Sequence, residues 1–473
     1  MHPPKPNAAE RLGTESVGKL LLQFSIPAIT GMLAGALYNV IDRIFIGRAV
    51  GEIAMGGVGL VMPLMTIGMA WAMLFGMGTA NMISMRLGQG KRGDAENALN
   101  HCFFLLIAAG LFLMVSGLLL LEPLLGLLGA QEGSEALAFA REYFRITLFG
   151  SVFGLLGFGL AHCTRAQGFP KITMACLLIG AILNIILSAL FVLAFDWGVQ
   201  GAAWATVVSQ LVSAAWIFNF IRGKKPVVRL NLQAFAPSRA IVRQIMAFGS
   251  AQFLIQFAMS AVQFLFNQSM GWYGAVALGV PNGGDIALAG INIYFAMMML
   301  IMMPVFGISQ GAQPLIGFNY GAKNYRRVFS IYIRAIGVAT GICFAGFIAL
   351  QLFSVQIVLL FAPDASAELM YFTPRAMRTM SILLPSAGFY ILSMIFFTVT
   401  GRPKLSIFMS MLRQCIILIP CMLIFGRLFG LWGVLAAVPV ADAFALVLAW
   451  FLISKEMKKL RGHVPPETSG PAG

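Results

Sequence analysis

The chain has seventeen Asp and Glu residues, and nearly all of them fall in polar connections or at the ends of apolar runs. Two do not: Asp42 lies inside the first long apolar run and Asp442 inside the last. Ionisable groups in the hydrocarbon of a bilayer are costly and usually serve a function. A carboxyl held away from water also takes up a proton more readily than an exposed one. Counted along a helix from Lys19, Asp42 falls in the outer part of a membrane. It is a candidate proton carrier, the alternative being a helix-end carboxylate paired with neighbouring Arg43. Asp442 raises the same question, with Arg413 at a similar depth as its structural partner.

Uncharged polar residues accompany these acids. Asn39, Asn184, Ser188 and Thr206 fall on the first, fifth and sixth apolar runs, where they could face one another or simply hold helices together. In the second half, Gln252, Gln256, Gln263 and Asn267 share one run, and Gln310 and Gln313 sit on the next. These amides could bind a polar part of a substrate or line a wet cavity. Met297, Met298, Met299, Met302 and Met303 cluster in the same run as Gln310, and flexible thioethers suit a promiscuous apolar pocket as well as ordinary packing. The six cysteines are scattered through apolar surroundings without metal-ligand spacing and read as small buried hydrophobes. Two of the four histidines, His101 and His162, fall near helix ends, where an interfacial role is expected. No nucleotide phosphate loop, zinc-binding His-Glu-x-x-His helix or Gly-x-Ser-x-Gly elbow occurs, so no enzyme activity, cofactor or metal is expected.

The elements that position these residues are membrane helices. Hydrophobic residues make up 59% of the chain and charged residues only 10%, where an average soluble domain is about a quarter charged. Runs of about 20 apolar residues match the bilayer's thickness, and unhydrated backbone there must be helical. Twelve spans are expected, near 19–47, 54–84, 98–121, 138–162, 170–194 and 199–221, then near 242–272, 286–316, 328–361, 370–397, 404–427 and 431–454. The segment before the first run lacks the pattern of a removable signal, so that run is expected to remain as a helix. The formal charge of +15 is concentrated in alternate connections, for example Arg86, Lys91 and Arg92, then Arg165 and Lys171, then Arg222, Lys224 and Lys225. Glu122 to Glu135 carries no Lys or Arg. This is a topology signal rather than a nucleic-acid footprint. It places the basic face and both termini in the cytoplasm, in a multi-pass protein of the inner (plasma) membrane.

The chain also repeats. Ala54, Gly57, Gly78 and Gly88 stand 233 residues before Ala287, Gly290, Gly311 and Gly321, and Gly168-x-Pro170-Lys171 stands 233 before Gly401-x-Pro403-Lys404. Phe24 and Gly47 stand 224 before Phe248 and Gly271. The expected organisation is a cytoplasmic segment 1–18, a six-helix lobe 19–221, a cytoplasmic linker 222–241, a second six-helix lobe 242–455 and a disordered cytoplasmic tail 456–473. Two six-helix lobes that enter the membrane in the same direction are related by a pseudo-two-fold axis along its normal, with a cavity between them. That plan suits a transporter that rocks one lobe against the other. Pro27, Pro63, Pro304, Pro314, Pro385, Pro420 and Pro439 fall within expected helices, where each permits a bend.

From about Gly18 to Lys459 the chain resembles the multidrug and toxic compound extrusion (MATE) family, nearer its DinF-like branch and MepA-like members. The carrying motifs are Tyr38-Asn39-Val40-Ile41-Asp42, Leu183-Asn184-Ile185-Ile186, Gly201-Ala202-Ala203-Trp204-Ala205-Thr206, and Gly307-Ile308-Ser309-Gln310-Gly311-Ala312-Gln313-Pro314. The resemblance implies a twelve-helix, two-lobe antiporter that exports amphiphilic organic cations in exchange for protons or sodium. It implies Asp42 as the exchanging carboxyl, with Tyr38, Tyr143, Asn184 and Thr206 around it. The family pattern often reads Asp-Pro four residues after the Asn, where this chain has Ser188-Ala189. Loss of a second carboxylate favours protons over a metal cation. One chain is expected to suffice as the working unit. A flippase for a lipid-linked precursor is the alternative, kept open by Arg334, Arg375, Arg378 and Arg413; it would call for a strongly cationic central cavity.

Overall fold

The expected apolar runs form helices throughout the computed structural model, which describes residues 9–127, 135–280, 282–363 and 365–461. The first lobe contains α1 (Val17–Ala49), α2 (Glu52–Gly88), α3 (Arg92–Leu119), α4 (Glu135–Ala166), α5 (Pro170–Ser188, continued by a π-helical segment Ala189–Ala194) and α6 (Gly198–Arg222). The second contains α7 (Arg239–Leu278), α8 (Gly283–Gly321) and α9 (Tyr325–Leu352). Its tenth span, α10, is a pair, Ala367–Met380 and Leu384–Val399, bent by 46°. The remaining apolar stretch, Pro403–Lys459, is interrupted at Gly430, whose φ of 62° and ψ of −141° are not helical. That break separates α11 (403–429) from α12 (431–461). Among the described residues ten helices are long and apolar enough to cross a membrane, the bent pair makes an eleventh, and the division at Gly430 a twelfth.

Several boundaries differ from expectation for physical reasons. The run near 328–361 divides into α9 and a short helix, Ser354–Phe361. Pro385 does not kink a helix: it occupies the first turn of the second part of α10, where a missing N–H costs nothing. Helix α12 runs to Arg461, beyond the expected limit of 455, because Glu456 is buried against Arg402. The rest of the expected tail, 462–473, lies outside the described residues. Ahead of α1, a helical turn at Glu10–Thr14 packs on the second lobe, where the buried Asn319 amide donates to the Leu12 carbonyl at 3.0 Å. The linker is also tied down. Val228 donates to Gln167 Oε1 at 2.8 Å, and Asn100 and Asn231 exchange bonds of 2.9 and 3.1 Å.

The repeat seen in the sequence is visible as shared backbone geometry. Gly168 and Gly401 adopt φ of 98° and 81°, values that favour glycine, and each is followed two residues later by the proline that opens α5 or α11. The lobes meet along α1 against α8, α2 against α7, and α2 against α8. At Gly78 a Cβ would lie 2.2 Å from the Ile245 carbonyl oxygen, and at Gly311 it would lie 2.8 Å from the Ser25 amide nitrogen. At Gly88 and Gly321 it would strike the carbonyls of Phe318 and Met85, at 1.9 and 2.1 Å. Phe318 and Met85 are themselves 233 residues apart, so the seam obeys the internal two-fold. The repeated glycines are the places where two helix backbones touch. These contacts lie at the basic end of the helices. Toward the other end, Gly35 and Gly271 have open space beside them.

Candidate functional site

Asp42 is only 7% exposed, and its Oδ1 accepts a 2.7 Å hydrogen bond from the Ser188 hydroxyl. The site forms because α1 packs on α5, and α5 and α4 both pack on α6. Residues four apart share a helix face; Tyr38 and Asp42 on α1, and Asn184 and Ser188 on α5, are such pairs. Asn184 donates to Thr206 Oγ1 at 3.1 Å, while its Oδ1 is buried without a partner. The Thr206 hydroxyl donates to the Ala202 carbonyl at 3.1 Å. Tyr143 of α4 is buried beside Thr206 and within electrostatic range of Asp42 and Tyr38. The six residues picked out in the first lobe therefore converge. The side chain of Asn39 lies outside those described. Immediately after Ser188 the helix widens into π geometry, a departure frequent at functional sites.

No Lys or Arg approaches Asp42 to within 4 Å among the described residues, and Arg43 is exposed. The carboxyl is thus held by the Ser188 hydroxyl in low-dielectric surroundings, with Arg43 acting on it electrostatically but not within 4 Å. Among the described residues, no three His, Cys, Asp or Glu side chains converge as a metal site. What this arrangement can do is hold one exchangeable positive charge, with the free Asn184 oxygen as a further acceptor in reach of the same bundle.

Asp442 is different. Its Oδ1 accepts from Arg413 Nε at 2.7 Å, with 15% and 27% of the two side chains exposed. The Arg413 guanidinium also lies 5.8 Å from the Tyr390 ring centre, and Tyr390 donates to the Met409 carbonyl at 2.8 Å. Arg413 sits in the π-helical turn Leu412–Leu418 of α11. The structural pairing, offered by the sequence as one of two readings, is present.

The amides expected in a substrate cavity do not gather in one place. Gln263 donates to Asn267 at 3.0 Å along α7, and Gln252 and Gln256 are half-buried on the same helix. Gln310 and Gln313 instead cross the seam between lobes. Gln310 Oε1 accepts from Arg165 at 2.6 Å, and the Gln313 amide donates to Asn81 Oδ1. Arg165 is a correction to the sequence reading, which placed it in a basic connection: it is 5% exposed, in the last turn of α4. His162, expected at an interface with the membrane surface, is buried beside it and bonded to its guanidinium. The i, i+3 spacing of His162 and Arg165 was the available signal, since it puts both on one face. His101 is likewise structural, its ring nitrogens engaged with the Asn97 carbonyl at 2.8 Å and the Ser238 amide at 2.9 Å.

Three of the four arginines that would serve a cationic cavity are engaged, Arg413 with Asp442 as above. Arg375 lies 3.9 Å over the Tyr371 ring, and Arg378 donates to Ser354 Oγ at 3.0 Å.

Comparison with known proteins agrees with this architecture. The MatE family model matches residues 27–190 and 251–424, one match in each lobe. The chain is 28% identical to the multidrug export protein MepA of Staphylococcus aureus (strain MRSA252) over 440 residues, covering 92% of this chain and 93% of that protein. A crystal structure of MATE in a bent conformation superposes with a TM-score of 0.88 at 25% identity, covering 97% of this chain and 99% of the other. An outward-facing multidrug resistance MATE family transporter of the MOP superfamily gives the same score and identity, covering 97% and 100%. With the family model spanning most of both lobes and the fold shared from end to end, the chain belongs to the MATE family of multi-pass membrane transporters, which are not enzymes.

Proposed function

We propose that this protein is a secondary active antiporter that exports amphiphilic organic cations in exchange for protons, with Asp42 as the exchanging carboxyl. The observation that carries the reading is a buried carboxyl with a hydroxyl donor and no fixed cation. Such a group must acquire its counter-charge from outside the protein, as a proton or a transported cation, and the two states have different electrostatic demands on the surrounding helices. The family relationship supplies the antiporter class, and the S. aureus relative's name supplies multidrug export.

Protons fit better than sodium because Ser188 stands where the family pattern carries a second aspartate. A hydroxyl there contributes no negative charge, and a hard cation favours several oxygen ligands with carboxylates among them. Asp442 does not belong to the exchange, since Arg413 already neutralises it. With the basic face toward the cytoplasm, the seam through Gly78, Gly88, Gly311 and Gly321 closes the cytoplasmic side, and the lobes are poised to open outward. Arg165 to Gln310 and Asn81 to Gln313 are then bonds that must part when the lobes rock the other way.

Proteoliposomes carrying a pH gradient or a sodium gradient, imposed separately, test the reading against a small panel of fluorescent cations. Efflux driven by the pH gradient alone is expected. Efflux that needs sodium would overturn proton coupling. Inhibition by a lipid-linked pyrophosphate, with no cation transport, would favour a flippase.

A further inference from the structure

A concavity lies away from Asp42, at the basic end. It is a groove of about 910 Å³ between α3 of the first lobe and α7 of the second, closed at one end by the linker. Its walls are mostly apolar: Phe104, Leu105 and Ala108 on α3, and Val242, Met246 and Ala247 on α7. At its mouth stand Arg239 and Arg243, one turn apart and both exposed. Neither has a carboxylate within 4 Å among the described residues. The first turn of α7 adds backbone N–H groups at the same place, with Ser238 as its cap.

The linker end of the groove is built, not incidental. The His101 ring accepts from the Ser238 amide at 2.9 Å, and its other nitrogen meets the Asn97 carbonyl at 2.8 Å, so the imidazole is a strut between α3 and the start of α7. Phe235 stacks between it and Phe104, with ring centres 4.9 and 4.6 Å apart. This strut fixes where α7 begins and hence where Arg239 and Arg243 project.

From this geometry we infer that the groove is a site for an anionic phospholipid of the basic-side leaflet. The phosphate would meet Arg239, Arg243 and the start of α7, and an acyl chain would lie along Phe104, Leu105, Ala108 and Met246. A basic mouth over an apolar trough, at the end of the helices, matches an anionic headgroup above its own chain. Its two walls belong to different lobes, so a bound lipid bridges them. Occupancy therefore favours the arrangement described here, in which the seam is closed at the basic end. The lipid acts as a regulator of lobe rocking, separate from the transported cation and independent of the Asp42 reading.

Native mass spectrometry of the full chain in detergent, titrated with dioleoyl phosphatidylglycerol, dioleoyl phosphatidylcholine and inorganic phosphate, tests this. Wild-type protein should retain phosphatidylglycerol in preference to phosphatidylcholine and should not bind free phosphate. The double variant Arg239→Gln/Arg243→Gln should lose that preference by about thirtyfold. Ala108→Trp, which fills the trough and leaves both arginines, should displace phosphatidylglycerol too. Lys224→Gln/Lys225→Gln, outside the groove, should change nothing. An unchanged preference in both groove variants would overturn the site. So would an equal loss in the Lys224/Lys225 variant, which would mean general surface charge, or free phosphate binding as tightly as lipid. Elution as a folded monodisperse species qualifies each variant for comparison.

Discussion

Each lobe holds a carboxyl within its membrane-spanning helices, Asp42 in the first and Asp442 in the second, and the two are held in opposite ways. Asp442 receives Arg413 at 2.7 Å, flanked by Tyr390. Asp42 receives the Ser188 hydroxyl at 2.7 Å, and no Lys or Arg lies within 4 Å of it among the described residues. Both partners belong to equivalent helices, α5 and α11, and both sit at a π-helical distortion, Ser188 just before Ala189–Ala194 and Arg413 within Leu412–Leu418. The two places are not copies of one another: at the offset of 233 seen in the repeat Ser188 matches Cys421 and Arg413 matches Gly180, and Asp42 lies on the first helix of its lobe but Asp442 on the last of its own. In the second lobe the counter-charge is part of the protein, so the ion pair is internally balanced and permanent. In the first lobe, on the function proposed for Asp42, it arrives and leaves with each cycle.

Breaking the second-lobe pair should give the largest effect on stability. Asp442→Asn leaves Arg413 without its counter-ion and should cost about 3–5 kcal/mol, at the lower end because both side chains keep some exposure. Arg413→Met with Asp442→Leu should recover most of it. Thermal unfolding in detergent measures both, and pH-driven efflux by the double variant should persist. Failure of that efflux would move Asp442 into the exchange machinery.

Removing the hydroxyl that holds Asp42 sharpens the contrast. Ser188→Ala takes away a hydrogen bond to a charged group, and pH-driven efflux should fall by about tenfold to a hundredfold with little change in unfolding temperature. An unaffected rate would mean that the Ser188 contact is packing alone. Thr206→Val should have the smallest effect, about fivefold, because it removes only neutral hydrogen bonds, from Asn184 and to the Ala202 carbonyl. Initial rates of dye efflux resolve a difference of that size.

Much of this was legible in the sequence because membrane helices announce themselves locally. The twelve apolar runs, the Gly-x-Pro-Lys turns at 168 and 401, and an acid in the first and last spans all depend on neighbours in the chain. The glycines at 78, 88, 311 and 321 were legible as a repeat, but their use as points of contact between lobes was not, because that requires the register of α2 against α7 and α8. Arg165 was misplaced for the same reason. Its position four residues from the chain turn at Phe169 reads as a basic connection, whereas its partner Gln310 is 145 residues away. The choice between exchange and pairing for Asp442 also lay beyond the sequence, since only the packing of α11 on α12 brings Arg413 to it.

The most direct test of the central claim is Asp42→Asn in proteoliposomes with an imposed pH gradient and a fluorescent organic cation. Efflux should fall to the level of protein-free vesicles, while the purified variant keeps its unfolding temperature and still binds the cation. Gradient-driven efflux at the wild-type rate in Asp42→Asn would contradict the account and send the search for the coupling group elsewhere in the bundle.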